Sequence, residues 1–287
     1  MGHFELRKEG GLKRNNITRE LLHANDKVYT DVFDSPQQAS EIIANKMITQ
    51  INAFTKAHPG QLYKLGLTTG RTPVSLYQIL SERYEAGEVS FKQVAVYSID
   101  EYYPIDPDAA QSRNTRIHKE FLDKVDIEPA NVHVLDGTVP EAEVAAYCAR
   151  FDAEARELDL LVIGIGEQGQ VGFNEISSTL QSRTRMVILP YKSRRRQARN
   201  FNGDLAVTPK TALTMGISTM LSAKKVYLMA WGEEKAEVVA RIVEGPQDRN
   251  CPATFFQLHP NIHFFVDSQA GSLLAREVAP WKIGPCE

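Results

Sequence analysis

The sequence of 287 residues contains few cysteines, and their positions exclude two common structural frameworks. The three, Cys148, Cys251 and Cys286, are an odd number, lie far apart and form no C-x-x-C pair. A disulfide scaffold or a structural zinc site needs paired or closely spaced cysteines, so neither is expected. Such sparse cysteine usage is typical of a reducing compartment and predicts a cytoplasmic location.

Long apolar runs and an excess of either charge are also missing. No stretch approaches the length of a transmembrane helix, and Met1 to Leu6 contain no apolar signal core. The formal net charge is −3, so neither nucleic acid nor a membrane surface is indicated as a partner. Any anion site must therefore be local. With 43% hydrophobic and 24% charged residues, the composition is that of an ordinary globular protein, and a single domain is expected.

Three short apolar runs each end in glycines or polar residues. The runs cover residues 64–67, 94–99 and 160–163, and they are followed by residues 68–73, 100–102 and 164–175. Uninterrupted apolar runs are typical of parallel strands that are buried on both faces of a sheet. Because ligands of open α/β sheets bind at the carboxyl ends of the strands, the three strand ends predict one shared site.

The remaining pattern alternates strands with helices. Strands are predicted at 28–33, 63–67, 94–99, 132–135, from 160, and at 186–189, 225–230 and 262–266, with helices from Pro36, from near Pro73, and near 114–124, 141–156, 193–200 and 233–244. Ser35 to Gln38 form a capping box with proline at the first helical position. This order predicts a doubly wound, mostly parallel sheet with helices on both faces, a three-layer sandwich. Residues 1–27 are expected to be an N-terminal extension and residues 28–287 the α/β domain.

Gly164 to Gly169 match the G-x-G-x-x-G fingerprint of dinucleotide-binding folds. That fingerprint requires a helix after the third glycine and an acidic residue at the end of the next strand. Poor helix formers follow instead, and the next strand ends in Leu189-Pro190. A nucleotide site is therefore disfavoured, and a glycine turn without a ligand is an alternative.

Two segments offer groups that bind anions. Thr69, Gly70, Arg71 and Thr72 precede a helix and supply backbone N–H groups, hydroxyls and a guanidinium, which together suit a phosphate. The alternative is an ordinary strand-to-helix turn. Residues 191–199 are rich in arginine, and helical spacing places Arg195 and Arg199 on one side of a helix. One of them could reach an anion, although most of this cluster is expected to be a solvated surface.

Asp100 follows a buried strand, where its carboxylate can be partly desolvated. That position suits a general base acting on a C–H bond next to a carbonyl, although a turn or helix-cap aspartate is an equal alternative. Together with Glu175 and the anion-binding turn, Asp100 would describe proton transfer on a phosphorylated sugar. The sequence contains no nucleophile-elbow serine and no paired metal-binding histidines that would indicate another chemistry.

Five ordered segments resemble the glucosamine-6-phosphate deaminase (isomerase) family. They are residues 65–73, 99–102, 173–175, 182–185 and 211–217, and the similarity extends from Val28 to Asp267. The resemblance implies a doubly wound α/β fold and the conversion of glucosamine-6-phosphate to fructose-6-phosphate and ammonia without a cofactor. It implies that Asp100 carries the proton between C2 and C1. It further implies that Gly70, Arg71, Thr72, Arg199 and Lys235 surround the sugar phosphate, with Arg199 on a mobile lid.

The chain departs from the family in the glycine-rich stretch. The family pattern there is Gly-x-Gly-Asn-Asp-Gly-His, whose histidine opens the sugar ring with help from the aspartate and from the glutamate that corresponds to Glu175. Here Glu167, Gln168 and Gln170 occupy the Asn, Asp and His positions. Because glutamine cannot exchange a proton near neutral pH, ring opening is expected to be slow.

Three functions follow from the resemblance and the departure. The first is an enzyme of this family with reduced or altered activity, acting on an open-chain sugar phosphate or slowly on the usual substrate. The second is a sugar-phosphate-binding protein without catalysis, such as a sensor or regulatory subunit. A lactonase acting on 6-phosphogluconolactone ranks lowest, because its chemistry also relies on the missing histidine. The sequence leaves a homo-oligomer open.

Overall fold

The computed structural model describes residues 26–275, so most of the extension predicted for residues 1–27 lies outside the described residues. Ten strands are present in this range: β1 (Thr30–Phe33), β2 (Tyr63–Leu67), β3 (Val94–Ser98), β4 (Asp100–Tyr103), β5 (Val132–His133), β6 (Leu160–Gly164), β7 (Arg185–Ile188), β8 (Thr211–Thr214), β9 (Val226–Ala230) and β10 (Ile262–Asp267). The α-helices in the same range are α1 (Pro36–Ala57), α2 (Val74–Glu85), α3 (Arg113–Glu120), α4 (Val144–Glu154), α5 (Tyr191–Gln197), α6 (Ile217–Leu221) and α7 (Ala236–Val243).

Seven strands form the main sheet, in the order β1-β10-β9-β6-β2-β3-β5, and every neighbouring pair is parallel. Strand β6 lies at its centre, where successive side chains enter opposite cores. Leu161 and Ile163 pack with helices α4, α6 and α7, whereas Leu160 and Val162 pack with helices α1, α2 and α3. The predicted doubly wound sheet with helices on both faces is thus confirmed.

Helix α1 begins where the capping pattern predicts. The Ser35 hydroxyl accepts a hydrogen bond from the Gln38 N–H at 3.2 Å, and Pro36 occupies the first helical position. The reciprocal bond of a capping box runs to Asp34 instead, because its N–H donates to Gln38 Oε1 at 3.0 Å. The apolar stripe of α1 is buried against β2 and β10, so this helix covers one face of the sheet.

A second, smaller sheet was not predicted. Strands β4, β8 and β7 pair antiparallel, with β8 in the middle. The apolar segment near Met186 was expected to join the main sheet, but it forms the edge of this second sheet. Asp100 likewise opens β4 and does not end β3, because the chain changes sheets at Ile99, whose N–H bonds to Leu67 and whose carbonyl accepts from Met215. The second sheet therefore begins at the candidate base.

The turn between β8 and α6 predicts a sensitive position. A Cβ on Gly216 would lie 2.1 Å from the Ser182 carbonyl oxygen and 2.3 Å from the Arg183 carbonyl carbon. Since both atoms belong to the backbone, Gly216→Ala is expected to lower the free energy of unfolding by about 1–3 kcal/mol or more. Urea unfolding measures this change. Ser218→Ala, two residues along, is the control and should stay within about 0.5 kcal/mol; an equal loss in both variants would contradict the packing argument.

Candidate active site

The carboxyl ends of β2 and β6, together with the start of β4, open into one cavity of about 480 Å³. The predicted meeting of three polar segments at one site is therefore observed. The lining comprises Thr68 to Thr72, Asp100, Arg113, Arg116, Gly164 to Glu167, Gln170, Gly172, Arg196, Gln197, Arg199, Asn200, Trp231, Glu234 and Lys235.

Most residues proposed from the sequence line this cavity. Those at its surface are Asp100, Thr69, Gly70, Arg71, Thr72, Gln170, Arg199 and Lys235. Gln168 and Glu175 are not part of the lining: the Gln168 side chain is exposed, and that of Glu175 is half-buried. Arg195 is exposed outside the cavity, and Arg196 lines it instead. Helix α5 gives way at Ala198 to a 3₁₀ turn that carries Arg199, so Arg196 on the helix and Arg199 on the turn both line the cavity.

The cavity carries an excess of positive charge in a chain whose net charge is −3. Its lining contains six cationic side chains, from Arg71, Arg113, Arg116, Arg196, Arg199 and Lys235. Against them stand three carboxylates, those of Asp100, Glu167 and Glu234. A concave surface lined by charges of one sign raises the local concentration of the oppositely charged ligand. The cavity is accordingly suited to an anion.

The turn between β2 and α2 is held in place from both sides. Gly70 has a φ of +120°, a left-handed conformation that a side chain would disfavour. The indole N–H of Trp231 donates to the Thr72 carbonyl at 2.8 Å, and the Tyr77 hydroxyl donates to the Thr68 carbonyl. These contacts fix a turn whose backbone N–H groups can receive an anion.

Lys235 also lines the cavity, in the 3₁₀ turn that precedes α7. Burial lowers the pKa of its ammonium group, Glu167 and Glu234 oppose that effect, and Arg196 and Arg71 add to it. Arg71 and Arg196 thus repel the charge of Lys235, and all three cations line the same cavity. A bound anion would relieve this repulsion.

Asp100 lines the cavity and is 5% exposed. Burial raises the pKa of its carboxyl group, while Arg113 and Arg116 of α3 oppose the rise. Among residues 26–275, no group donates a hydrogen bond to either carboxylate oxygen. A desolvated carboxylate without hydrogen bonds is a stronger base than one in water, which is the property that proton abstraction requires.

Glu101, the next residue, has the opposite environment. Its carboxylate accepts hydrogen bonds from the backbone N–H groups of Tyr102, Arg113 and Asn114 and from the Ser112 hydroxyl, at 2.7–2.9 Å. Burial raises the pKa of Glu101, and these four bonds oppose the rise. The negative charge also lies at the N-terminus of α3, where the helix dipole stabilises it. Glu101 thereby anchors α3, which carries Arg113 and Arg116 to Asp100.

The glycine-rich segment after β6 does not form a dinucleotide site. No helix follows Gly169 within residues 165–184, as the poor helix formers indicated. The Gln170 carboxamide folds back onto Gly166, where an added Cβ would lie 2.1 Å from its Cδ. Gln170 Oε1 also accepts the Gln168 N–H at 3.0 Å. The side chain that replaces the family's histidine is thus held by its own loop.

Arg113 is one of the cavity residues that sequence reasoning missed, as are Arg116, Arg196 and Trp231. An arginine in a polar loop reads as a surface residue, yet this side chain is 8% exposed. The available signal was Ser112, which caps α3 through a hydrogen bond from the Thr115 N–H and thereby places Arg113 at the first helical position.

Within the part of the chain that the structure describes, no three histidine, cysteine or acidic side chains converge as metal ligands would. Nor is any helix there long and apolar enough to cross a bilayer.

Comparison with known proteins relates the chain to one family of sugar-phosphate enzymes. The family model for glucosamine-6-phosphate isomerases/6-phosphogluconolactonase matches residues 34–264. A glucosamine-6-phosphate deaminase-like protein of Bacteroides thetaiotaomicron is 35% identical over 276 residues, or 95% of this chain, which spans 41% of that relative's length. The glucosamine-6-phosphate deaminase of Hahella chejuensis is 38% identical over 244 residues, covering 85% of this chain and 90% of that one.

A solved structure gives the same relationship in three dimensions. A monomeric glucosamine-6-phosphate deaminase superimposes with a TM-score of 0.78 and 31% sequence identity. The superposition covers 85% of this chain and 99% of that one. Its extent agrees with the span of the family model.

Folding raises the pKa of both Asp100 and Glu101, but only the Glu101 carboxylate accepts hydrogen bonds from the described residues. This difference in hydrogen bonding predicts opposite effects on stability when each acid is replaced by its amide. An acid whose pKa is raised by folding favours the folded state at low pH, and that stability is lost as the pH rises through its folded pKa. At pH 7 the Asp100 carboxylate therefore disfavours folding. Asp100→Asn should raise the free energy of unfolding at pH 7, with the gain shrinking toward pH 4.

Glu101→Gln is the matched control for this prediction. Its amide NH₂ would face groups that need an acceptor, so a loss of about 1–3 kcal/mol is expected. Urea unfolding of both variants at several pH values measures the two effects. A loss of stability in Asp100→Asn at pH 7 as large as that in Glu101→Gln would contradict the environment described for Asp100.

Proposed function

This chain belongs to the glucosamine-6-phosphate isomerase/6-phosphogluconolactonase family, and we propose that it moves a proton between C2 and C1 of an amino-sugar or hexose phosphate. The observation that carries the proposal is a buried carboxylate, Asp100, that accepts no hydrogen bond from residues 26–275 and lies in the same cavity as six cationic side chains of that range. A base and an anion site within one cavity are what this chemistry needs. For the amino sugar, the reaction ends in release of ammonia.

The phosphate is proposed to bind at the outer part of the cavity. Thr69, Gly70, Arg71 and Thr72 provide the turn, whose N–H groups lie beside the N-terminus of α2. Lys235 and Arg199 line the same cavity and are proposed to add their positive charges to the phosphate site. The phosphate would also restore the lowered pKa of Lys235, since an anion stabilises the charged ammonium.

Asp100 is proposed to be the base. The C–H bond at C2 of an open-chain sugar is acidified by the neighbouring C1 carbonyl, and a carboxylate of raised pKa can accept its proton and return it to C1. The cavity wall excludes water from most of the Asp100 carboxylate, which limits loss of the proton to solvent.

Ring opening is proposed to be the weak step. Gln170 occupies the histidine position and Gln168 the aspartate position, and neither amide can serve as an acid or base near neutral pH. Losing a positioned acid–base group costs roughly 10²- to 10⁴-fold in rate. An open-chain substrate avoids this cost, so the chain should act on open-chain forms better than on the cyclic sugar.

A second candidate function is sugar-phosphate binding without turnover. Gln168 and Gln170 favour it, because they remove proton transfer while the cationic lining is retained. In that case the protein would act as a sensor or regulatory subunit.

Turnover of glucosamine-6-phosphate distinguishes the two functions. The purified wild-type chain is expected to release ammonia and fructose-6-phosphate, and Asp100→Asn should lower the rate by about 10²- to 10⁴-fold. Coupled assays for both products measure it. Wild-type turnover no higher than that of Asp100→Asn would reject the enzyme. Calorimetric binding of the substrate would then support the sensor, and absence of binding would reject both.

Restoring the family residues tests the account of ring opening. Gln168→Asp combined with Gln170→His should raise turnover of the cyclic sugar, because an imidazole returns to the position facing the ring. Gln168→Asp combined with Gln170→Asn, which makes the same number of changes without an imidazole, is the control. Steady-state kinetics measure the difference. Equal rates for the two double variants would mean that the histidine position does not limit turnover.

A further inference from the structure

Arg113 is a buried cation inside the cavity and is not among the residues proposed to hold the phosphate. Its guanidinium carbon lies 5.1 Å from the centre of the Tyr102 ring and 5.4 Å from that of Phe173. Cation–π contacts with two rings hold a guanidinium in one place. The charge is therefore fixed near the base and cannot follow a mobile ligand.

The guanidinium has donors left for a ligand. Nη1 donates to Thr69 Oγ1 at 3.1 Å, and Nη2 makes a long contact of 3.5 Å with Gln197 Oε1. A guanidinium carries five N–H donors, so three have no acceptor within residues 26–275. Buried Nε is one of these three donors. Five described side chains hold a buried polar atom without a partner, and of these five Arg113 is the one that lines the cavity. Buried donors normally find an acceptor, which points to a ligand oxygen.

The position of Arg113 specifies which oxygen. Its contact with Thr69 places it beside the anion-binding turn, and its charge interacts with that of Asp100. Glu101 already accepts four hydrogen bonds, whereas the Asp100 carboxylate accepts none from the part of the chain that the structure describes. A substrate between the phosphate turn and Asp100 must therefore pass next to the Arg113 guanidinium.

Resting on the proposed function, we infer that Arg113 binds the O1 oxygen of the open-chain sugar phosphate and stabilises the negative charge that develops there. Asp100 takes the proton from C2, the electrons of the C–H bond form the C1–C2 double bond, and the carbonyl electron pair moves onto O1. O1 then takes a proton from the substituent on C2, and Asp100 returns its proton to C1. A C2 hydroxyl becomes a ketone; a C2 amine becomes an imine, which water hydrolyses to ketone and ammonia.

The inference also accounts for a site without the family's histidine. Arginine stays charged at every physiological pH, so Arg113 can stabilise an oxyanion without exchanging a proton. Removing one preorganised donor from an oxyanion site costs roughly 10²- to 10³-fold in kcat. Arg113 would thus favour substrates that arrive with C1 already a free carbonyl.

The test compares Arg113→Gln and Arg113→Lys with Arg150→Gln, an exposed arginine on α4 outside the cavity. Arg113→Gln should lower kcat by about 10²- to 10³-fold with a smaller change in KM. The acid limb of its pH profile should move to higher pH, because the cation that lowers the pKa of Asp100 is gone. The other groups around that carboxyl, Arg116, Glu101 and Tyr77, stay the same.

Arg113→Lys keeps the positive charge and changes the geometry of the donors. It also tests the inference if Arg113→Gln fails to fold. It should restore the position of the acid limb but recover kcat only in part, since an ammonium lacks the planar fork of donors. Arg150→Gln should match the wild type. An acid limb that does not move in Arg113→Gln, or a kcat within about twofold of the control, would overturn the inference.

A binding measurement keeps the inference separate from the proposed function. Calorimetry with gluconate 6-phosphate, whose C1 carboxylate places negative charge on the O1 position, should show at least about tenfold weaker binding to Arg113→Gln. Inorganic phosphate should bind both proteins alike. If the wild type shows no turnover, this selective loss still upholds Arg113 as a ligand of the C1 oxygen, and equal binding of gluconate 6-phosphate overturns it.

Discussion

The site depends on one constraint, the burial of the Asp100 carboxylate without a hydrogen-bond donor among the described residues. Such a group is unstable in a folded protein unless nearby charges compensate for the lost water. Here the compensation comes from Arg113 and Arg116, both on α3. That helix is anchored in turn by the four hydrogen bonds of Glu101. The two adjacent residues of β4 therefore differ in role. Glu101 holds helix α3 in place, and Asp100 keeps a basic carboxylate.

The same constraint explains why the cavity combines opposite properties. Proton abstraction needs a poorly solvated carboxylate, whereas phosphate binding needs many cations, and cations lower the basicity of a carboxylate. Both kinds of group line one cavity. Burial outweighs the two arginines at Asp100, while Lys235, Arg199 and the Gly70 turn line the same space. Gln170, which also lines the cavity, adds neither a charge nor a group able to exchange a proton near neutral pH.

The main sheet could be predicted from the sequence because its signal is local. Runs such as Val94–Ser98 are apolar throughout, and a strand buried on both faces needs no information from elsewhere in the chain. The second sheet could not, because β4, β7 and β8 are short and pair over long sequence distances. Asp100 lines the cavity formed by the strand ends, as the sequence predicted, but it begins β4 and does not end β3. Arg113 was missed because its inward direction depends on Glu101 and on the rings around it, which no local pattern shows.

A crystal structure of the protein with a bound open-chain hexitol 6-phosphate tests the central claim most directly. The account predicts the phosphorus atom at the turn formed by Thr69 to Thr72, facing Lys235. It predicts the C1–C2 end of the chain within about 3.5 Å of the Asp100 carboxylate, the separation that proton transfer requires. A phosphate bound elsewhere, or a carbon chain that points away from Asp100, would contradict it.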